Sequence, residues 1–275
     1  MNPFSLSVKE LEQKARAIRR RIIVLNAESP AGGHTGADLS QVELLTALYF
    51  RILNCSPARK RVTTAISIFS RRGTLSVVTT ACWPKQALFP LTGWQPINTP
   101  TRLCRTPGKA QNAGIELNTG ALGHGLPVAV GIALAAKRDN NPRRVFVVTG
   151  DGELAEGSNW EAALVAAHYQ LDNLIIINDK NNLQLAGATK EIMNTDPLDE
   201  KWRAFGMEVT QCNGNDMAEV VATLERLQPN GKPHVVIANT TKGAGISFIQ
   251  GRPEWHHRVP KGEEIELALE ELKDE

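Results

Sequence analysis

Apolar residues gather along this chain in two ways. Val145-Phe146-Val147-Val148, Asn173-Leu174-Ile175-Ile176-Ile177-Asn178 and the stretch from His234 to Asn239 are short, nearly unbroken runs, the pattern of strands buried on both faces. Elsewhere the apolar positions recur at helical spacing. Val8, Leu11, Ala15, Ile18, Ile22 and Leu25 form one stripe of a helix over 7–26 with a basic outer face. Ser40 and Glu43 have capping-box spacing ahead of Leu44, Leu45, Leu48 and Phe50, so two helices are expected to flank the glycine-rich loop that carries His34. Further helices are predicted over 127–137, 160–168 and 217–227. Alternating strands and helices predict an α/β fold, a parallel sheet with helices on both faces, in a single domain over 1–275. The charged tail over 261–275 reads as a terminal helix that frays.

Composition narrows the function classes. The chain has 275 residues, 42% of them hydrophobic, enough for one substantial core. Net charge is +2 and the basic residues are dispersed, apart from Arg19-Arg20-Arg21 and Arg59-Lys60-Arg61, which gives no argument for nucleic acid. Cys55, Cys82, Cys104 and Cys212 form no Cys-x-x-Cys pair, so neither a zinc site nor a disulfide framework is indicated. No apolar stretch approaches a membrane span and the N-terminus lacks a signal pattern; a reducing cytoplasm is the expected location.

The polar residues at the ends of the predicted strands carry the chemistry. Asp151 stands between Gly150 and Gly152 where the first run ends, and Asn181-Asn182 follow the second, thirty positions on. A right-handed parallel crossover brings both tips to one edge of the sheet, the edge where ligands of open parallel sheets sit. Glycine there lets backbone approach a phosphate. A carboxylate and an amide oxygen are hard ligands suited to Mg²⁺ or Ca²⁺, and magnesium completes its shell with phosphate oxygens and water. Each motif alone also reads as an ordinary polar turn; the pair at adjacent strand ends favours a metal holding a diphosphate.

Gly150-Asp151-Gly152 through Asn181 resembles the thiamin diphosphate motif of the transketolase family. The likeness extends over most of the chain: Gly32-Gly33-His34-Thr35-Gly36, Thr119-Gly120-Ala121-Leu122-Gly123-His124-Gly125, Glu153-Leu154-Ala155-Glu156-Gly157, Trp160-Glu161-Ala162-Ala163, Phe205-Gly206, Thr241-Lys242-Gly243-Ala244-Gly245 and Trp255-His256. The resemblance implies the diphosphate-binding fold, with thiamin diphosphate and Mg²⁺ (or Ca²⁺) as cofactors. Asp151, Asn181 and the Leu183 carbonyl are then the metal ligands. Gly120, Leu122, His124, Gly150, Gly152, Glu153 and Lys242 line the cofactor, although a lysine beside Gly243 also reads as a solvated turn. His34 and His256 are the expected catalytic donors and proton shuttles at the sugar, work suited to groups titrating near neutral pH. Glu156 matches an acid linking cofactor sites across subunits, or else a glutamate favoured by a helix start. His257 is left as a surface residue, and Trp160, Trp202 and Trp255 as packing residues.

The resemblance fails between Val62 and about Gly108. The Arg-Asp, Lys-Gly-His, Tyr-Tyr and Gly-His-Pro expected there are absent, and no amphipathic period replaces them. Read from the third base of the Val62 codon, permitted codons for Val62 through Pro90 can encode DHRDKYFLAKGHSQCRYYGVLAEAGFIP without a stop. Two bases of every shifted codon come from the next direct residue and specify much of the result. Arg105-Thr106-Pro107-Gly108 likewise permits Gly-His-Pro from its second base. The expectation is a pair of frameshifts, in the gene or in its recorded sequence, with an ordinary divergent loop as the alternative. Two family histidines that contact phosphate and substrate are missing from the polypeptide as written.

The resemblance also covers only the diphosphate half of a family chain. The glutamate that activates the cofactor belongs to a separate pyrimidine-binding domain. The chain therefore resembles the N-terminal subunit of a split transketolase. It is expected to pair with a C-terminal subunit in a hetero-oligomer and to transfer a two-carbon ketol unit between sugar phosphates. The rivals are a deoxyxylulose-phosphate synthase-like or 2-oxo-acid dehydrogenase α-like chain, and a catalytically inactive remnant that binds cofactor or partner without turnover.

Overall fold

The structure, a computed structural model, describes residues 5–29, 33–53, 65–69, 121–185 and 187–273, with 65–69 described through its backbone. Gly32, Gly120 and nearly all of 62–108 lie outside the described residues.

Five strands form a wholly parallel sheet: β1 (Ala65–Phe69), β2 (Arg144–Gly150), β3 (Leu174–Lys180), β6 (Glu208–Asn213) and β7 (His234–Asn239), in the order β1-β2-β3-β7-β6. β4 (Leu183–Gln184) and β5 (Gly187–Ala188) make a small antiparallel hairpin after β3. Successive strand residues point to opposite faces, and both faces are covered. Phe146, Val148, Ile175, Ile177, Val236 and Ala238 pack under α1 (Val8–Glu28), α3 (Val42–Ala47), α8 (Met217–Arg226) and α9 (Glu263–Glu271). Val145, Val147, Leu174, Ile176, Val235 and Ile237 pack under α4 (Gly125–Arg138), α5 (Gly157–His168) and α7 (Leu198–Ala204). Double burial is why β2, β3 and β7 read as unbroken apolar runs. The short helices α2 (Thr35–Ser40) and α6 (Thr189–Ile192) complete the set used below. Trp202 and Trp255 are almost wholly buried in opposite layers, and Trp160 lies against Trp202 and Phe205.

Three expectations are corrected. The capping box lies at Ser7 and Glu10, at the start of α1. Ser40 ends α2 instead, its hydroxyl donating to Ala37 O and to Asp179, and Glu43 is held by Arg19. The terminal helix does not fray: Ala268 and Leu272 are buried, and Arg20 and Arg16 of α1 donate to backbone carbonyls of Leu269 and Lys273. A strand also runs inside the anomalous stretch, β1 pairing with β2 from Ala65 opposite Arg144 to Phe69 opposite Val148. β6 has no counterpart among the predicted strands, since most of its side chains are exposed or half-buried and present no apolar run.

Candidate active site at the carboxyl edge of the sheet

The chain leaves β2 at Gly150 and turns at Asp151 into a short 3-10 helix, Gly152–Ala155, that leads into α5. Asp151 is 1% exposed. One carboxylate oxygen accepts the Gly152 N–H at 2.8 Å and the other the Asn182 N–H at 2.6 Å. Its own N–H donates to Asp179 O at 3.2 Å. These bonds stitch the tip of β2 to the tip of β3, so Asp151 and Asn181 come together at one edge. Asn182 adopts a left-handed φ of 59°, a conformation asparagine tolerates, and this turns its N–H onto Asp151. Leu183 follows in the β4–β5 hairpin, donating its N–H to Asn181 Oδ1 at 3.2 Å. A carboxylate, an amide oxygen and a backbone carbonyl on adjoining loops form a hard donor set that fits a magnesium-class ion. Gly152 packs on Gln184, whose Cγ would lie 2.9 Å from a Cβ at that position.

Glu153 works on the other side of the turn. Its buried carboxylate accepts the N–H groups of Gly123 (2.9 Å) and Gly150 (3.3 Å). It thereby clamps the 122–124 loop to the end of β2. Gly123 has φ 82° and sits so close to Glu156 and Ser158 that a Cβ would meet both below 3 Å. His124, at the N-terminus of α4, has its Nδ1 3.1 Å from Leu122 O, and Leu122 is 39% exposed. Glu156 occupies the N-cap position of α5 but makes no side-chain capping bond, and it is exposed.

A second cluster forms where α2, the loop after β7 and the 3-10 turn Pro253–His256 meet. His34 precedes α2, and its ring centroid lies 5.4 Å from that of His256 and 4.5 Å from that of His257. The three imidazoles each bring a nitrogen within 4.8 Å of the others. Lys242 is 1% exposed, with Nζ 2.9 Å from His256 Nδ1, which overturns the solvated-turn alternative. An ammonium has no acceptor, so a charged Lys242 can only donate here and would meet the lone pair of His256 Nδ1. Gly36 permits this packing: a Cβ there would lie 3.0 Å from Lys242 Cγ and 3.1 Å from Trp255 O. His257, read from sequence as a surface residue, is exposed but belongs to the cluster. Adjacency to Trp255-His256 was the one available signal.

The sheet, with metal-suited oxygens at one strand edge and a lysine-backed histidine cluster, defines an α/β domain of the cofactor-diphosphate-binding class. Residues 12–273 match the family described as transketolase, thiamine diphosphate binding domain. The chain belongs to that family. It is 64% identical to an apulose-4-phosphate transketolase subunit of Actinobacillus succinogenes, over 100% of both chains. Identity is 35% with the 6-deoxy-6-sulfo-D-fructose transketolase subunit SqwG of a Clostridium species, covering 97% of each. Among solved structures, the transketolase of Campylobacter jejuni superposes with a TM-score of 0.79 at 27% identity, covering 97% of this chain and 43% of that one. This chain thus spans less than half of that transketolase. No helix among the described residues is long and apolar enough to cross a membrane.

Proposed function

We propose that this chain is the diphosphate-binding subunit of a split transketolase, holding Mg²⁺ (or Ca²⁺) and thiamin diphosphate and acting with a pyrimidine-domain partner on sugar phosphates in the cytoplasm. The observation that carries this reading is the stitched pair of strand ends, Asp151 Oδ2 on Asn182 N–H and Asp151 N–H on Asp179 O. The relatives named as subunits support a partner. So do the exposed apolar side chains on the loops that carry the site, Leu122 and Leu185, with Ile192 and Met193 beside the β4–β5 hairpin.

When bound, thiamin diphosphate would supply the nucleophilic carbon and the electron sink for ketol transfer. The protein's work is to bind and orient. Asp151, Asn181 and the Leu183 carbonyl would hold the metal, and Lys242, buried against His256 Nδ1, would add positive charge for the diphosphate. His34 and His256 donate to the sugar carbonyl and hydroxyls and move protons there. Glu156, exposed beside the 122–124 loop, faces the partner.

The test mixes the chain with a candidate pyrimidine-domain subunit, thiamin diphosphate and Mg²⁺, and follows ketol transfer from a ketose phosphate. Transfer dependent on both chains is expected; none at any stoichiometry would favour a remnant. The remnant reading has its own support in residues 62–108, which we propose to be an out-of-frame translation of a family segment. Resequencing the gene tests this, and the idea fails if the shifted bases encode no Lys-Gly-His. Repeating the assay with the frame restored separates a wrong partner from a broken subunit.

A further inference from the structure

Asp179, the residue before Lys180 at the end of β3, has no role that its sequence context reveals, yet it bonds to two of the three proposed metal-ligand residues. It is completely buried. Its Oδ2 accepts Ser40 Oγ–H of α2 at 2.9 Å and Asn181 Nδ2–H at 3.2 Å. Oδ1 accepts the hydroxyl of Thr240, just past β7. Its backbone carbonyl accepts the N–H of Asp151. One residue therefore joins α2, the end of β7, the backbone of Asp151 and the side chain of Asn181.

We infer that Asp179 is the positioning residue of the metal site, and that it does this by fixing which end of the Asn181 amide faces the ion. An asparagine amide can flip, and only its hydrogen-bond partners decide which end is oxygen. A carboxylate accepts and does not donate, so the side of Asn181 facing Asp179 must be its NH₂ group. Oδ1 is turned the opposite way, toward Leu183, and is the atom presented to a cation. The Leu183 N–H, a donor, favours the same orientation from the far side; loss of the Asp179 acceptor removes one of the two partners that hold the amide and lets the NH₂ group compete for the ion's position. Outer partners that orient ligands in this way typically govern metal affinity by about 10–100-fold. The inference rests on the proposed metal–diphosphate reading.

The experiment measures Mn²⁺ binding, in place of Mg²⁺, by electron paramagnetic resonance. It uses the full chain with thiamin diphosphate, both by itself and with its partner present, and records thermal melting in parallel. D179N is expected to weaken Mn²⁺ binding by about 10–100-fold, whereas S40A, which removes another bond to the same carboxylate, lowers the melting temperature and leaves Mn²⁺ affinity unchanged. D179N/N181D restores affinity, because the new amide donates to a carboxylate whose oxygens are both acceptors. A purely structural role would not be rescued that way. Equal Mn²⁺ affinity in wild type and folded D179N overturns the positioning role while leaving the metal reading intact. Absence of N181A-sensitive Mn²⁺ binding in the wild type overturns both. If D179N does not fold, the double variant decides: bound Mn²⁺ supports the role and lost binding refutes it.

Discussion

Removing Glu43 will do more damage than removing any surface carboxylate. Arg19 of α1 meets Glu43 of α3 through two contacts of 2.6 and 2.7 Å, with the side chains 10% and 8% exposed. Arg19 Nε also donates to Ala244 O at 2.9 Å, and Asn215 bridges Glu43 to the Thr241 N–H. The pair therefore ties two helices to the loop that carries Lys242. Glu43→Ala leaves a buried guanidinium without its counter-charge, a change that typically costs about 3–5 kcal/mol. A domain of this kind has a total stability of about 5–15 kcal/mol, so the variant should unfold at markedly lower urea with an unchanged slope. Two further variants isolate the cause. D199A breaks the exposed i,i+4 pair with Arg203 and is expected to leave the midpoint where it is. R19M/E43L replaces both charges by apolar groups of similar volume and should recover most of the loss. The reasoning is refuted if E43A loses no more than D199A, or if the double variant is no better than the single one.

Other perturbations follow from single contacts. Gly33→Ala would place a Cβ 2.3 Å from Asn26 Oδ1; Asn26 is buried and holds Thr35 and Asp38, so a melting curve should show about 1–3 kcal/mol lost to overpacking and assays a misplaced His34. The Cys212 thiol is pushed up to about 11 by burial, with Glu219 adding to the effect. Peptide mapping after alkylation at neutral pH should find it unmodified until denaturant is added; ready labelling of folded protein would contradict this. Burial pushes the Asp172 carboxyl up, but Lys137 and the Gly231 N–H outweigh it and hold it below its ordinary 3.8. A depressed folded-state value means a stabilisation present above the unfolded value and lost as pH falls through the folded one. D172N should therefore flatten the stability profile below about pH 4 and lower the plateau above it.

What was legible in the sequence depended on burial and locality. β2, β3 and β7 announced themselves because both faces are covered. β6 did not, because an outer strand needs no apolar alternation when most of its side chains meet water. The Ser40–Glu43 spacing misled for a related reason: capping is a local signal, and here Asp179 takes the serine hydroxyl while Arg19 takes the glutamate. Asp151 and Asn181 were readable because strand-end glycines and a hard-ligand pair are encoded within a few residues each. The contact of Lys242 with His256 and the recruitment of His257 were not. They arise where the loop after β7 meets a turn across Gly36, where a Cβ would crowd both Lys242 and Trp255 O.

The stretch 62–108 divides the site along the same line. A parallel ladder is made by backbone groups, so the pairing of β1 with β2 seen for Ala-Ile-Ser-Ile-Phe does not depend on one particular set of side chains. Strand formation therefore says little about which frame is read. Side-chain chemistry says more, since only the proposed shifted frame would supply a Lys-Gly-His. Asp151, Asn181 and Leu183, the proposed metal ligands, lie at the ends of β2 and β3 and in β4, outside the anomalous stretch, and are the same residues in either frame. On the proposed reading, metal binding and turnover are thus separable: the first would rest on residues this chain has, the second on histidines that only the shifted frame would supply and on a glutamate expected from the partner.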